Sequence, residues 1–188
     1  MHKVVTGNAE AQSTTLTLKT SVRFSIRPYR EEDFETLLAI DQSCFAPEIA
    51  YSAFELQTYI VRKAAFTFVA EESHEQSTQE LHNTKMPAIM GFIVGEVFRG
   101  IGHIITIDVR AEARRHRVGS ALLELAEKQL RLRSCTLARL ETAVDNVSAL
   151  SFYKRHGYHV TKTIPRYYSN GLDALLLEKD LLSLPRSG

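Results

Sequence analysis

Between His103 and Arg133 the hydrophobic pattern changes its period, and this change narrows the possible folds more than any other feature of the chain. His103 to Val109 reads as a strand. From Val118 the apolar residues recur at helical spacing, and Leu122, Leu125, Ala126 and Leu130 form one stripe that ends near Arg133. Only Arg110 to Arg117, a short stretch carrying four arginines, separates the two patterns. A strand that turns so quickly into an amphipathic helix lays that helix on a sheet, which places the chain in the α/β class.

The flanking segments fit that class. Val22, Phe24 and Ile26 alternate with Arg23, Ser25 and Arg27, the pattern of a half-buried strand that Pro28 ends. Glu31 to Phe45 reads as a helix with the stripe Phe34, Leu37, Leu38, and its acidic first turn suits the helix dipole. Ser52 to Glu55 fits a capping box, so a second helix runs from Ser52 to about Arg62. Ala65 to Ala70 is a strand, and the polar stretch Glu71 to Lys85 reads as an extended loop. Ala88 to Phe98 and His103 to Val109 form a hairpin through Gly100 to Gly102. Thr136 to Val144 is a strand, Asn146 caps a helix over Val147 to His156, and Gly157 closes it. Tyr158 to Ile164 and Ala174 to Lys179 are the last strands, joined through Pro165 and a turn at Asn170-Gly171. The order β-α-α-β-β-β-α-β-α-β-β describes a mixed sheet with helices packed on it.

A chain of 188 residues suits one domain. Residues 1–20 lack apolar periodicity and read as a flexible arm, leaving residues 21–188 as a single domain. The net charge of +1 argues against a general nucleic-acid binder. No apolar run reaches membrane-spanning length, so no membrane partner is expected. Two cysteines, Cys44 and Cys135, give no disulfide framework and suit a reducing cytoplasm. The seven histidines show no ligand-like spacing with cysteine, so no metal is expected; His103 and His116 read as strand-end or loop residues.

Two constellations carry chemistry. In the first, the helix start at Val118, Gly119 and Ser120 offers free N–H groups, and Arg114, Arg115 and Arg117 add positive charge where a polyphosphate would lie. A solvated basic loop ahead of an amphipathic helix accounts for the same residues. In the second, Glu141 interrupts an apolar strand, and Asn146 and Tyr153 share a face of the next helix. A carboxylate and a phenol converging on one cleft supply a base and an acid. Simple core packing of Tyr153 and a surface Glu141 account for the same residues and are favoured on physical grounds alone.

The segment Ala113 to Leu123 resembles the first signature of the GCN5-related N-acetyltransferase (GNAT) family. That signature is Gln or Arg, two residues, Gly, one residue, then Gly or Ala. Arg114 and Gly119 match it, and Arg117 stands where the family usually has its first Gly. The run Leu140 to Tyr158 resembles the second signature, a strand followed by Asn, Ala, aromatic-Tyr and Gly-aromatic. Arg166 to Ala174 is similar to the C-terminal hairpin of the RimI-like ribosomal-protein-alanine N-acetyltransferase branch. Together these span roughly residues 22–182.

The resemblance implies the GNAT fold: a mixed, mostly antiparallel central sheet flanked by helices, with an acetyl-CoA cleft between two splayed strands. It implies that Ile107, Asp108 and Val109 meet the acetyl and pantetheine part of the cofactor. It assigns Arg114, Arg115, His116, Arg117, Val118, Gly119 and Ser120 to its pyrophosphate and Asn146 to its reactive end. Glu141 would accept the proton of the amine, Tyr153 would donate one to the departing thiolate, and Tyr167 and Tyr168 would border the acceptor groove. If the Arg117 position needs an unusual backbone angle, arginine costs stability there; otherwise it keeps its N–H and adds charge. The implied activity is acetyl transfer from acetyl-CoA to a primary amine, foremost a protein or peptide N-terminus, a ribosomal protein being one candidate. A GNAT enzyme for lysine side chains or a small-molecule amine, and a non-catalytic acyl-CoA sensor, are the alternatives. Residues 45–62 and 164–173 carry Tyr51, Tyr59, Tyr167 and Tyr168 but no acidic cluster for a polycation, which favours a peptide acceptor.

Overall fold

The computed structural model describes residues 23–73 and 88–182. The arm at 1–20, the strand start at Val22 and residues 74–85 of the expected loop lie outside them. Strand β1 is Phe24–Pro28. A single 3-10 turn over Glu31–Asp33 leads into helix α1, Phe34–Cys44, and α2 is Ala53–Ile60. The hairpin strands follow: β2, Ala65–Glu72; β3, Ile89–Phe98; β4, Ile101–Val109. Then come α3, Val118–Leu132; β5, Leu137–Ala143; α4, Val147–Arg155; β6, His159–Ile164; and β7, Ala174–Asp180.

Local chemistry sets these limits. The capping box forms at α2: Ser52 Oγ accepts from the Glu55 N–H, and the Glu55 carboxylate accepts from the Ser52 N–H. Asn146 caps α4 by accepting from the Ala149 N–H at 3.0 Å. Gly157, at φ +85°, ends α4 as a left-handed residue. No helix among the described residues is long and apolar enough to cross a membrane.

The seven strands form one sheet in the order β1-β2-β3-β4-β5-β7-β6. Every neighbouring pair is antiparallel except β4 and β5. One face buries Leu122, Leu123, Ala126 and Leu130 of α3 with Tyr153 of α4; the other buries Leu37 and Ile40 of α1 with Leu56 of α2. Each fully buried aliphatic side chain contributes roughly 1.5–3 kcal/mol. Glu127 of α3 is buried and accepts from Lys179 Nζ on β7 at 2.6 Å and from Arg131 at 3.3 Å, which ties α3 to the far half of the sheet.

Two irregularities make room for a site. First, β4 and β5 pair only at Ile101↔Leu137, Gly102↔Ala138 and His103↔Arg139; beyond these the strands part. Second, the β3–β4 register steps from Gly95↔Ile104 to Val94↔Thr106, so Ile105 is the extra residue of a β-bulge. The bulge reverses the alternation of β4. Ile104 faces the α3 core and Ile105 the α1–α2 core, yet Ile107 and Val109 return to the α3 side. The half of β4 beyond the bulge is held only by β3, and the two backbones run very close there: a Cβ built on Gly91 collides with the carbonyl oxygen of Asp108. Gly91→Ala is therefore expected to lower stability by about 1–3 kcal/mol in urea unfolding; a change under about 0.5 kcal/mol would show that the strands part freely at that point.

Candidate active site

Where β4 and β5 diverge the chain encloses a cleft of about 1030 Å³. Its walls come from the α1–α2 connection, the bulged end of β4, the arginine loop, the starts of α3 and α4, β5, and the β6–β7 turn. The Arg110 N–H bonds the Met90 carbonyl, so in the antiparallel pattern Thr106 and Asp108 also turn their backbone groups toward β3. Ile107 and Val109 turn theirs to the open edge, which is the cleft.

At one end of the cleft lies the arginine loop. A 3-10 turn over Ala111–Ala113 begins it, a turn absent from the sequence reading. Arg115 and Arg117 both take left-handed backbone angles, φ +65° and +66°, and Arg117 is the N-cap of α3. The angle thus matches what the glycine of the family signature supplies, with arginine bearing the strain of about 1–2 kcal/mol. Val118, Gly119 and Ser120 line the cleft as the first turn of α3, with Arg114, Arg115 and Arg117 beside them. A Cβ on Gly119 would meet Phe152 and Val109 side chains at 3.6 Å, ordinary contacts, so this turn is already closely packed. A helix N-terminus with its donors turned to a cavity and three guanidinium groups around it suits the pyrophosphate of CoA. Arg114 is also anchored: its Nε donates to the Val109 carbonyl at 3.1 Å. His116 is not among the residues that line the cleft.

At the other end lie several titratable residues. Glu141 on β5 pairs with His103 on β4, with 2.6 Å between Oε2 and Nε2. Both line the cleft just where the strands separate. This corrects the reading of His103 as a strand-end residue: strand β4 starts two residues earlier than the pattern suggested, and the ring points at Glu141. Glu96 of β3 stands 3.8 Å beyond the His103 ring, and Arg62 pairs with Glu96 at 3.1 Å. Only 8% of Tyr153 is exposed, yet it lines the cleft; burial, then the Asp108 charge, pushes its phenol well up, so it holds its proton. Tyr167 and Tyr168, which also line the cleft, pack edge to face with 5.1 Å between centroids. Burial first, then Tyr167 and Glu141, raises the Tyr168 phenol to about 12. Ser169 donates to the Glu48 carbonyl at 2.7 Å, bridging the β6–β7 turn to the α1–α2 connection.

Beneath this end lie two carboxylates. Asp108, placed on the α1–α2 side by the bulge, is 1% exposed and accepts from the Thr106 hydroxyl at 3.1 Å. Asp41 of α1 is fully buried and accepts from the Tyr51 N–H at 2.7 Å. Burial pushes both up, Asp41 to about 6, and the Asp41 charge adds to the rise of Asp108. Asp108 was expected to face the cofactor through its strand; its carboxyl is buried, as is that of Asp41, which stands in phase with the apolar stripe of α1. Cys44, on the same wall, has its thiol pushed up by burial, which favours its protonated form. Among the described residues no group of three potential ligands could hold a metal.

The model of the acetyltransferase (GNAT) family matches residues 30–158. The chain belongs to this family. Among GNAT relatives, an N-alpha-acetyltransferase of Sulfurisphaera tokodaii is 27% identical over 178 residues, covering 87% of this chain and 96% of the relative. An uncharacterized N-acetyltransferase of Methanocaldococcus jannaschii is 40% identical over 92 residues, 48% of this chain; the match spans 59% of that relative's length. The crystal structure of Ard1 from Thermoplasma volcanium superposes with a TM-score of 0.70 at 25% identity, covering 85% of this chain and 99% of that one. The seven-stranded sheet, parallel only at the β4–β5 splay, is thus the GNAT architecture, and the sequence expectation of that fold holds.

Arg117→Gly is expected to leave stability within about 0.5 kcal/mol of the parent, because relief of strain is offset by glycine's freedom in the unfolded chain. Arg117→Val, β-branched at a left-handed position, is expected to cost about 1–2 kcal/mol by chemical denaturation. Asp41, whose carboxyl is raised from its ordinary value to about 6, binds its proton more tightly folded than unfolded. Stability from this group is therefore full at low pH and is lost as pH rises through about 4 to 6. Asp41→Asn, which keeps an acceptor for the Tyr51 N–H, is expected to flatten that part of the pH–stability curve.

Proposed function

We propose that this GNAT chain carries an acetyl group from acetyl-CoA to the α-amino group of a protein or peptide N-terminus. The observation that carries the reading is the Glu141–His103 pair at the point where β4 and β5 part, opposite the protonated Tyr153. A bound acetyl-CoA would supply the activated thioester, with the first turn of α3 and the arginines of its loop holding the diphosphate end.

The residues of the chain do the rest. An amine attacks only when neutral, so it must lose a proton. Glu141 accepts that proton, directly or through water, while the His103 Nε2–H donates to its Oε2 at 2.6 Å and holds the carboxylate in place. Glu96 stands on the far side of the ring, 3.8 Å from Nδ1. The N–H groups of Ile107 and Val109 face the cleft and stabilise developing negative charge on an acyl oxygen. Tyr153 keeps its proton available for a leaving group, and Asn146 lines the same stretch of wall.

Two facts favour an N-terminal amine over a lysine or polyamine. An α-amino group has a pKa of about 7.7–8.0 against about 10.4 for lysine, so a lone carboxylate–imidazole pair suffices for it. The acceptor side is built of Phe45, Ile49, Tyr51, Tyr59, Tyr167 and Tyr168, walls suited to an extended peptide. The name of the Sulfurisphaera tokodaii relative supports the same acceptor. A ribosomal protein remains one candidate substrate. Both cysteines are free, which supports a reducing cytoplasm as the location.

Glu141→Gln is expected to lower kcat about 100-fold or more while the calorimetric Kd for CoA changes less than about twofold. Tyr153→Phe is expected to slow single turnover about tenfold without loss of fold. The decisive assay is acetyl-CoA turnover on peptides of varied first residue, on Nα-blocked lysine peptides and on polyamines. Turnover of the lysine peptides or polyamines alone would overturn the acceptor; CoA binding with no turnover would leave a sensor.

A further inference from the structure

Behind the cofactor end of the cleft stands a side chain that the chemistry above does not use. His156 closes α4, half-buried, with its ring 4.4 Å from the Phe152 ring. Its Nδ1 lies 2.8 Å from the Phe152 carbonyl oxygen and its Nε2 lies 3.1 Å from Ser120 Oγ. A carbonyl oxygen only accepts, so Nδ1 carries hydrogen. In the neutral ring Nε2 is then the acceptor, and the Ser120 hydroxyl donates to it.

Ser120 is the third residue of α3 and lines the cleft, whereas His156 does not. The ring therefore grips the first turn of α3 from behind. Phe152, one turn earlier on α4, sits against Gly119 of the same turn. Two consecutive residues of that turn thus rest on two residues of α4, and the only hydrogen bond between the side chains is His156–Ser120. A serine at this place has its own alternative: a hydroxyl left loose at a helix start competes for nearby backbone groups. Held by His156, it stays clear of them, and the Gly119 and Ser120 N–H groups remain turned to the cleft.

We propose that His156 is a positioning residue for the cofactor's pyrophosphate: through the Ser120 hydroxyl it fixes the first turn of α3 in the orientation that receives the phosphates. This inference rests on the acetyl-CoA reading above. It concerns binding of the diphosphate end and leaves the Glu141–His103 end untouched.

The test compares donors with and without a pyrophosphate. In His156→Ala, calorimetric titration with CoA, acceptor absent, is expected to give a Kd raised about three- to tenfold, the weight of one hydrogen bond. The KM for acetyl-CoA should rise in step, with kcat at saturation unchanged. With acetyl-pantetheine, which lacks the pyrophosphate, the same variant is expected to match the parent within about twofold. Ser120→Ala should reproduce the CoA defect, and the double variant should be no worse than either single one. Equal losses with both donors would make His156 a general support of α4 and overturn the proposal, as would additive single effects or an unchanged Kd. If His156→Ala does not fold, Ser120→Ala carries the same donor contrast alone. A parent protein that binds no CoA would instead refute the acetyl-CoA reading itself.

Discussion

The parting of β4 from β5 after three paired residues is the constraint on which the rest of the structure depends. Two parallel strands that separate leave backbone groups without ladder partners, and such groups must find others. The bulge at Ile105 produces the local twist that opens the edge, and it also swaps which side chains of β4 look to each face. One extra residue thus places Ile107 and Val109 against α3 and Asp108 over α1. The arginine-lined end and the Glu141–His103 end of the cleft are the two ends of a single opened seam.

Charge is distributed along that seam in a graded way. The arginines of the loop mark one end, at the positive pole of α3. The other end holds the Glu141–His103 pair, in reach of water. The floor holds Asp41 and Asp108, both driven toward the neutral form by burial. The Asp41 charge adds to burial in disfavouring a charged Asp108. An overall charge of +1 therefore describes little of what a ligand meets.

Much of this was legible in the sequence because it rests on local rules. The α2 capping box, the Asn146 cap and the Gly157 stop are short-range hydrogen-bond chemistry, and each sits where its residue type demands. Glu141 stood out because an acidic residue in an apolar strand requires a reason. His103 did not, because its meaning depends on Glu141, a residue 38 positions away on the neighbouring strand. Asp41 stands in phase with the apolar stripe of α1, and only tertiary packing over it makes it unusual. The bulge was silent for another reason: in Ile104-Ile105 both residues are apolar, so a slip in alternation leaves no mark in the pattern.

The bridge from Ser169 to the Glu48 carbonyl joins segments 121 residues apart in sequence and stands in contact with water. A hydrogen bond of that kind contributes about 1 kcal/mol. It ties the β6–β7 turn to the α1–α2 connection, two walls of the cleft that no strand pairing joins, so removing this one contact would shift how often the two walls part by roughly fivefold.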